Sequence, residues 1–409
     1  MKKTIGLTLM ASLMIACSQT DAKKEQFIQE NVTFADAQTN NLINVVKDST
    51  IFPRTSKADG SLRCTKRNDW TEGFFPGTLW YIYELNQSEE MKKNALRWTH
   101  ALEPLKTLTS HHDIGFLMYC SYGNAYRLTG DESYVDVLVE SAKSLCTRFD
   151  DRVGAIKSWN YRKAWDGQTE WFYPVIIDNM MNLELLYFAA KKTGDTRFSE
   201  IATKHAETTA KHQLRPDYSC YHVVDYDTLT GVVKDQATCQ GFTDNSAWAR
   251  GQAWGIYGYT MVYRETQDKK FLDIAQKMAD YYLDHSNLPE DKVPYWDFHA
   301  GVEGYNPEWE YDASRFTTVP RDASAAAITC SALFELSGYL GDAGKKYRQS
   351  AEEILYNLAS PAYRAELGAN NNFILMHSVG SIPHKQEIDV PLTYADYYFM
   401  EALNRYKAL

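Results

Sequence analysis

Four charged residues stand at similar distances before a recurring polar turn. Asp113 precedes Asp131 by 18 residues, Asp178 precedes Asp195 by 17, Arg250 precedes Asp268 by 18, and Asp322 precedes Asp342 by 20. Carboxylates repeated at one register can do two things. At a first helical turn an Asp satisfies free backbone N–H groups and the positive end of the helix dipole. Around a shared cavity, two carboxyls can divide acid and base work, because one negative charge raises the pKa of its neighbour. For Asp322, in RDASAAAITCSAL, capping is the expectation, with Arg321 beside it as a partner. For Asp113, in SHHDIGF, and Asp178, in PVIIDNMMNLELLYFAAKKTGD, both readings stand. Each leads into a strongly apolar segment, where a carboxylate is costly unless it is paired, hydrogen-bonded or neutralised. His111 and His112 adjoin Asp113, and His222 reaches the same end through a hairpin.

The elements that must place these residues follow from a weak internal repeat. RLTGDESYVDVLVESAKSL, KKTGDTRFSEIATKHAETT, RETQDKKFLDIAQKMADYY and SGYLGDAGKKYRQSAEEIL each carry a polar turn with Asp and then an amphipathic helix. Glycine in three of the four turns fits a helix C-cap. Apolar helices are predicted near 73–86, 113–128, 178–192, 247–265, 322–337 and 391–405, and amphipathic partners near 30–47, 89–103, 132–148, 196–212, 269–285 and 344–358. Apolar helices alternating with helices that have one wet face imply two concentric layers. The expected fold is therefore all-α, an (α/α)6 barrel of six helical hairpins. A flat helical solenoid would make both helices of each pair about equally amphipathic. Residues 219–234 alternate around DTLTG and predict a small β-hairpin at one mouth. All four charged residues then fall at the same mouth.

Composition narrows the chemistry. A net charge of −10, without a long basic cluster, argues against nucleic acid as a partner. Gly-rich phosphate loops, H-E-x-x-H and G-x-S-x-G elbows are absent from the sequence. The histidines show no metal-ligand spacing, so neither metal nor cofactor is expected. MKKTIGLTLMASLMIACSQT has the basic start and short apolar run of a signal peptide. Its IAC step resembles a bacterial lipobox, so residues 1–17 are expected to end at a lipidated Cys17 in the cell envelope. Residues 18–26 read as a polar tether, and 27–409 as one domain. Of the remaining six cysteines, only Cys220 and Cys239 are candidates for a disulfide; the others read as buried free thiols.

Several runs together resemble a known family. HHDIGF around Asp113, GAIKSWN around Trp159, IIDNMMNLELLYFA around Asp178, SAWARGQAWGIYGY around Arg250, VPYWDF, RDASAAAI and EIDVPLTYADYYFMEAL are similar, in order, to the unsaturated glucuronyl hydrolases of glycoside hydrolase family 88. The resemblance covers most of the chain from about residue 69. It implies an (α/α)6 barrel that removes a 4,5-unsaturated uronic acid from the non-reducing end of oligosaccharides left by polysaccharide lyases. The implied reaction hydrates the vinyl ether rather than displacing at the anomeric carbon. It implies Asp178 as general acid and then base, with Asp113 as its partner. His222, Gln240, Arg250 and Trp254 would line the uronate subsite, with Arg250 as counter-charge to the substrate carboxylate. Trp159 and Trp70 would be stacking walls. His384 and Lys385, in GSIPHKQE, are candidates to meet an acidic or sulfated neighbouring sugar.

Rival readings share the barrel. An unsaturated rhamnogalacturonyl hydrolase would run the same hydration on pectin fragments. A glycan-binding lipoprotein would need the aromatic residues and Arg250 but not a pair of aspartates. A lyase would create the double bond, and no tight Tyr/His/Arg cluster supports that.

Overall fold

The computed structural model describes the backbone of residues 4–66 and 69–409, with side chains from Ala22 onward. The inner layer begins with α2 (Phe74–Asn86). Its second member is α4 (Ile114–Met118), a π-turn over Tyr119–Gly123, and α5 (Asn124–Thr129). Next come a 3₁₀ segment Ile177–Asn182 running into α7 (Leu183–Thr193), then α9 (Ala249–Thr266), α11 (Ala323–Tyr339) and α13 (Thr393–Ala408). Each packs on the next, and α13 returns to α2, so the ring closes. Around it lie α1 (Thr4–Val46), α3 (Glu89–Ala101), α6 (Ser133–Cys146), α8 (Thr196–His212), α10 (Lys269–Asp284) and α12 (Gly344–Leu358). This is the two-layer α/α barrel that the alternation of apolar and amphipathic helices predicts.

Burial follows the sequence pattern. Residues 323–334 of α11 are all buried, as a helix packed on both sides requires. On α10 only the stripe Phe271, Ala275, Met278, Ala279 and Tyr282 is buried, the helical spacing of a single apolar face. The first outer helix extends upstream of its predicted start, and residues 22–26, read as tether, continue it with mostly exposed side chains. Cys17 and the expected signal segment 1–17 lie outside the residues described in full.

Two inner segments depart from the single helices predicted, and both carry the aspartates. The π-turn interrupts 113–128, and Asp178 sits in a 3₁₀ segment rather than at the head of an α-helix. The heads of these segments meet almost backbone to backbone: a Cβ on Gly115 would lie 2.5 Å from Asn182 Cα. Asn182 Oδ1 accepts from Phe116 N at 2.9 Å, across that contact. Ser121 and Asn124 then bond back to Leu117 O and Cys120 O, side-chain bonds that compete with the regular helical ladder.

Short strands decorate the mouth. They are β1 (Phe52–Ser56) with β2 (Leu62–Thr65), β3 (Phe149–Asp150) with β4 (Ala155–Ile156), and β5 (Arg162–Lys163) with β6 (Glu170–Trp171). The predicted hairpin is β8 (Val223–Tyr226) and β9 (Val233–Ala237), and it gains a third antiparallel strand, β7 (Pro174–Ile176). A last hairpin joins β10 (Ser378–Ser381) to β11 (Gln386–Val390). Cys220 and Cys239 are both buried free thiols, so the considered disulfide does not form.

Candidate active site

Neither Asp113 nor Asp178 caps a helix. Asp113 occupies the N-cap position of α4 without a side-chain cap bond. Asp178 Oδ2 is buried with no hydrogen-bond partner. Asp322, in contrast, caps α11 by accepting from Ser324 N at 3.0 Å and Ala325 N at 3.4 Å. The capping reading holds for Asp322 and fails for the other two.

Sheet register delivers His222 to Asp178. Ile176 pairs with Val223, and Ile177 N donates to His222 O at 3.1 Å, so His222 stands one residue from the acid. Its Nδ1 accepts two backbone N–H groups, from Cys239 at 3.0 Å and Gln240 at 3.1 Å. A nitrogen receiving two donors carries no proton, so the ring proton sits on Nε2. Nε2 lies 3.7 Å from Asp178 Oδ2. Burial, reinforced by Arg162 and Arg250, keeps this imidazole neutral well below its ordinary pKa.

The two carboxyls are pushed in opposite directions. Burial raises Asp178 to about 7; Arg250 opposes that rise and the Asp113 charge adds to it. Burial also acts on Asp113, but His112, His111 and Arg148 outweigh it and hold the group below its usual range. His111 Nδ1 lies 3.1 Å from Asp113 Oδ2, and His112 Nε2 lies 3.3 Å from Oδ1. One mouth of the barrel thus holds a carboxylate beside a carboxyl that keeps its proton near neutral pH.

Arg250, on the first turn of α9, is 1% exposed. It binds Asp322 Oδ2 at 3.2 Å, Gly380 O at 2.6 Å and Val379 O, and its guanidinium lies 4.4 Å over the Trp248 ring. The partner of Asp322 is therefore Arg250, not Arg321, which pairs with Asp291. Arg250 Nε has no partner. One turn along α9, Trp254 is fully buried beside Asp178, with its ring against Phe116. It backs the acid from within the barrel.

A cavity of about 200 Å³ opens beside these groups. Arg54, Trp70, Trp159, Arg162, Gln240 and Arg250 are among its walls. Asp113 and Asp178 stand outside that lining; Asp178 adjoins it through Arg250, whose charge acts on it, and through His222. Arg54 and Arg162 escaped the sequence reading. Arg54 pairs with Glu387 across the β1 and β11 hairpins, a contact between residues 333 positions apart that no local pattern announces. Arg162 lies three residues after Trp159, with its guanidinium 5.1 Å over that ring. His384 is held by Ser381 Oγ at 2.5 Å and by Arg162, and burial first and Arg162 second lower its pKa to about 4. Lys385 is paired with Glu310 at 2.7 Å. The positive charge on that wall therefore belongs to Arg162 rather than to His384 or Lys385.

Known proteins resemble this chain over most of its length. The profile of Glycosyl Hydrolase Family 88 matches residues 42–284. An unsaturated glucuronyl hydrolase of Formosa agariphila is 46% identical over 404 residues, covering 98% of this chain and 96% of that protein. An unsaturated chondroitin disaccharide hydrolase of Streptococcus agalactiae is 32% identical, covering 87% of this chain and 85% of its own. The crystal structure of an unsaturated glucuronyl hydrolase specific for heparin superimposes with a TM-score of 0.86 at 45% identity, covering 94% of this chain and 98% of that one. With a closed α/α barrel and two oppositely perturbed carboxyls at one mouth, the chain belongs to glycoside hydrolase family 88.

Proposed function

We propose that this family 88 enzyme removes the 4,5-unsaturated uronic acid from the non-reducing end of lyase-generated, glycosaminoglycan-type oligosaccharides, with Asp178 as the proton donor. The observation that carries this reading is the pair of buried carboxyls that cap nothing and are pushed in opposite directions, Asp178 up to about 7 by burial and Asp113 below its usual range by His112, His111 and Arg148. Asp178 gives its proton to C4 of the vinyl ether, water adds at C5, and the water's proton returns to Asp178. The resulting hemiketal opens and the remaining sugar leaves. Asp113 stays ionised, and its charge supports the proton on Asp178 and the positive charge that develops in the sugar ring. His222 presents its neutral Nε2–H edge to Asp178 Oδ2 across 3.7 Å.

Binding is assigned to the cavity walls. The unpartnered Nε of Arg250, together with Arg162, supplies positive charge for the uronate carboxylate. Trp159 and Trp70 supply faces for the sugar rings, and Gln240 a hydrogen-bonding amide. This local field reconciles an acidic protein with an acidic substrate. Cys17 is proposed as a lipid attachment point that tethers the enzyme in the bacterial cell envelope, facing the periplasm or on the outer membrane surface. Labelled fatty acid that enters the wild type but not Cys17→Ala would support the anchor, and equal labelling would remove it.

The test uses the chromophore of the substrate. Purified protein mixed with an unsaturated chondroitin disaccharide should lower the ultraviolet absorbance of the conjugated double bond, and Asp178→Asn should abolish the change. No change with chondroitin, heparin or pectin disaccharides would overturn the reading and favour glycan binding without turnover.

A further inference from the structure

His112 is fully buried between the two aspartate-bearing segments, and its surroundings determine where its ring proton sits. Nδ1 lies 3.3 Å from Ser158 Oγ, while Nε2 lies 3.3 Å from Asp113 Oδ1. Asn179 is the other hydrogen-bonding side chain beside the ring. Its amide nitrogen is committed to Ile156 O at 2.7 Å, so only its Oδ1, a buried acceptor with no hydrogen-bond partner, is left to face the ring. Ser158, also fully buried, already accepts Ile176 N–H at 3.0 Å. Its hydroxyl has one proton to give, and the acceptor beside it is His112 Nδ1.

We infer that Ser158 is a positioning residue that fixes His112 as the Nε2–H tautomer, so that its N–H edge, 3.3 Å from Asp113 Oδ1, faces that group and favours the carboxylate on which Asp178 depends. The opposite tautomer would leave the Ser158 proton without an acceptor. It would also set a bare Nε2 lone pair against the oxygens of Asp113 and Asn179, with every group buried. A doubly protonated ring is opposed as well. Besides Asp113, the titratable groups facing His112 are His111, Arg148, His205 and His222; burial first, then His111 and Arg148, work against a second proton, while the buried His205 and His222 rings are neutral. His112 therefore repeats on Asp113 what His222 does on Asp178: a neutral ring whose Nδ1 is occupied by a donor and whose Nε2–H faces a carboxyl. In one case the donors are backbone amides; in the other the donor is a single side chain that substitution can remove.

The last link rests on the proposed roles of the aspartates; the tautomer does not. Nitrogen-15 spectra of the purified protein at neutral pH, with His112 assigned by loss of its signals in His112→Gln, should show an unprotonated Nδ1 and a protonated Nε2. A proton on Nδ1 overturns the inference whether or not the enzyme turns over. Ser158→Ala should shift the His112 Nδ1 resonance and lower kcat about tenfold, the loss expected for one hydrogen bond, with KM little changed. Ser158→Thr, which keeps the hydroxyl, should restore both readouts. If Ser158→Ala moves the resonance but keeps wild-type kcat, the link from Ser158 to catalysis is refuted. If Ser158→Ala does not fold, a low kcat in folded Ser158→Thr with the wild-type tautomer refutes it equally. A wild type with the Nε2–H tautomer but no turnover of unsaturated uronates would sink the functional reading and leave the tautomer assignment standing.

Discussion

Asp178→Asn should do more than stop turnover: it should stabilise the fold, and only at higher pH. In the folded protein burial raises this carboxyl from 3.8 to about 7. On unfolding it returns to water and its ordinary value. The unfolded chain therefore ionises Asp178 from about pH 4, while the folded chain resists until about pH 7. Raising the pH through that window favours the unfolded state, and the penalty is complete above it and absent below it. Roughly three pH units at about 1.4 kcal/mol each give about 4 kcal/mol. Asn is nearly isosteric with the neutral acid and cannot ionise, so the variant escapes the penalty. With an unfolding entropy of about 2 cal/mol/K per residue, a domain of this size converts 4 kcal/mol into about 5 °C of Tm. Scanning calorimetry of wild type and Asp178→Asn in matched buffers between pH 4 and 8 reads it directly. The variant should match the wild type near pH 4 and melt higher by about 5 °C near pH 8, while losing activity throughout. A Tm difference that stays flat across this range would show that Asp178 titrates as an ordinary surface acid, and the proton-holding argument would fall with it.

Other outcomes follow from the same contacts. Asp113→Asn should lower kcat by a factor of about 10² or more. It removes a charge that raises Asp178, so the alkaline limb of the residual pH–rate profile should move to lower pH; a limb that moves upward would contradict the coupling. Arg250→Lys keeps the charge but cannot hold Asp322, Val379 O and Gly380 O together, so KM should rise at least about tenfold and Tm should fall. Trp159→Ala should raise KM roughly tenfold with kcat nearly unchanged, as measured by initial rates on a disaccharide. A reductant should leave Tm unchanged, because Cys220 and Cys239 are unbonded; a drop on reduction would indicate a bridge.

Much of this molecule is legible along the chain, because burial and helical period are local properties. The contrast between α11, buried nearly throughout, and α10, buried along one stripe, is already written in their side chains, and it implies two layers. The register of Asp113, Asp178, Arg250 and Asp322 before their turns likewise places all four at one mouth. What those groups do there was decided only by tertiary contacts. Spacing favours capping for Asp322 but leaves capping and chemistry equal for Asp113 and Asp178; those two are resolved only by contacts, since Asp322 finds Ser324 N while Asp113 makes no cap bond and Asp178 Oδ2 has no hydrogen-bond partner. Arg250 meets Asp322 across 72 positions, and Arg54 meets Glu387 across 333. The 3₁₀ path at Asp178 accompanies the close approach of Gly115 to Asn182, a contact between two separate inner segments. The opposite pKa values of the two carboxyls divide between the two levels: His112 and His111, which hold Asp113 down, are its sequence neighbours, whereas the burial of Asp178 and the charges of Arg250 and Asp113 that act on it exist only once separate inner segments pack together in a low-dielectric interior.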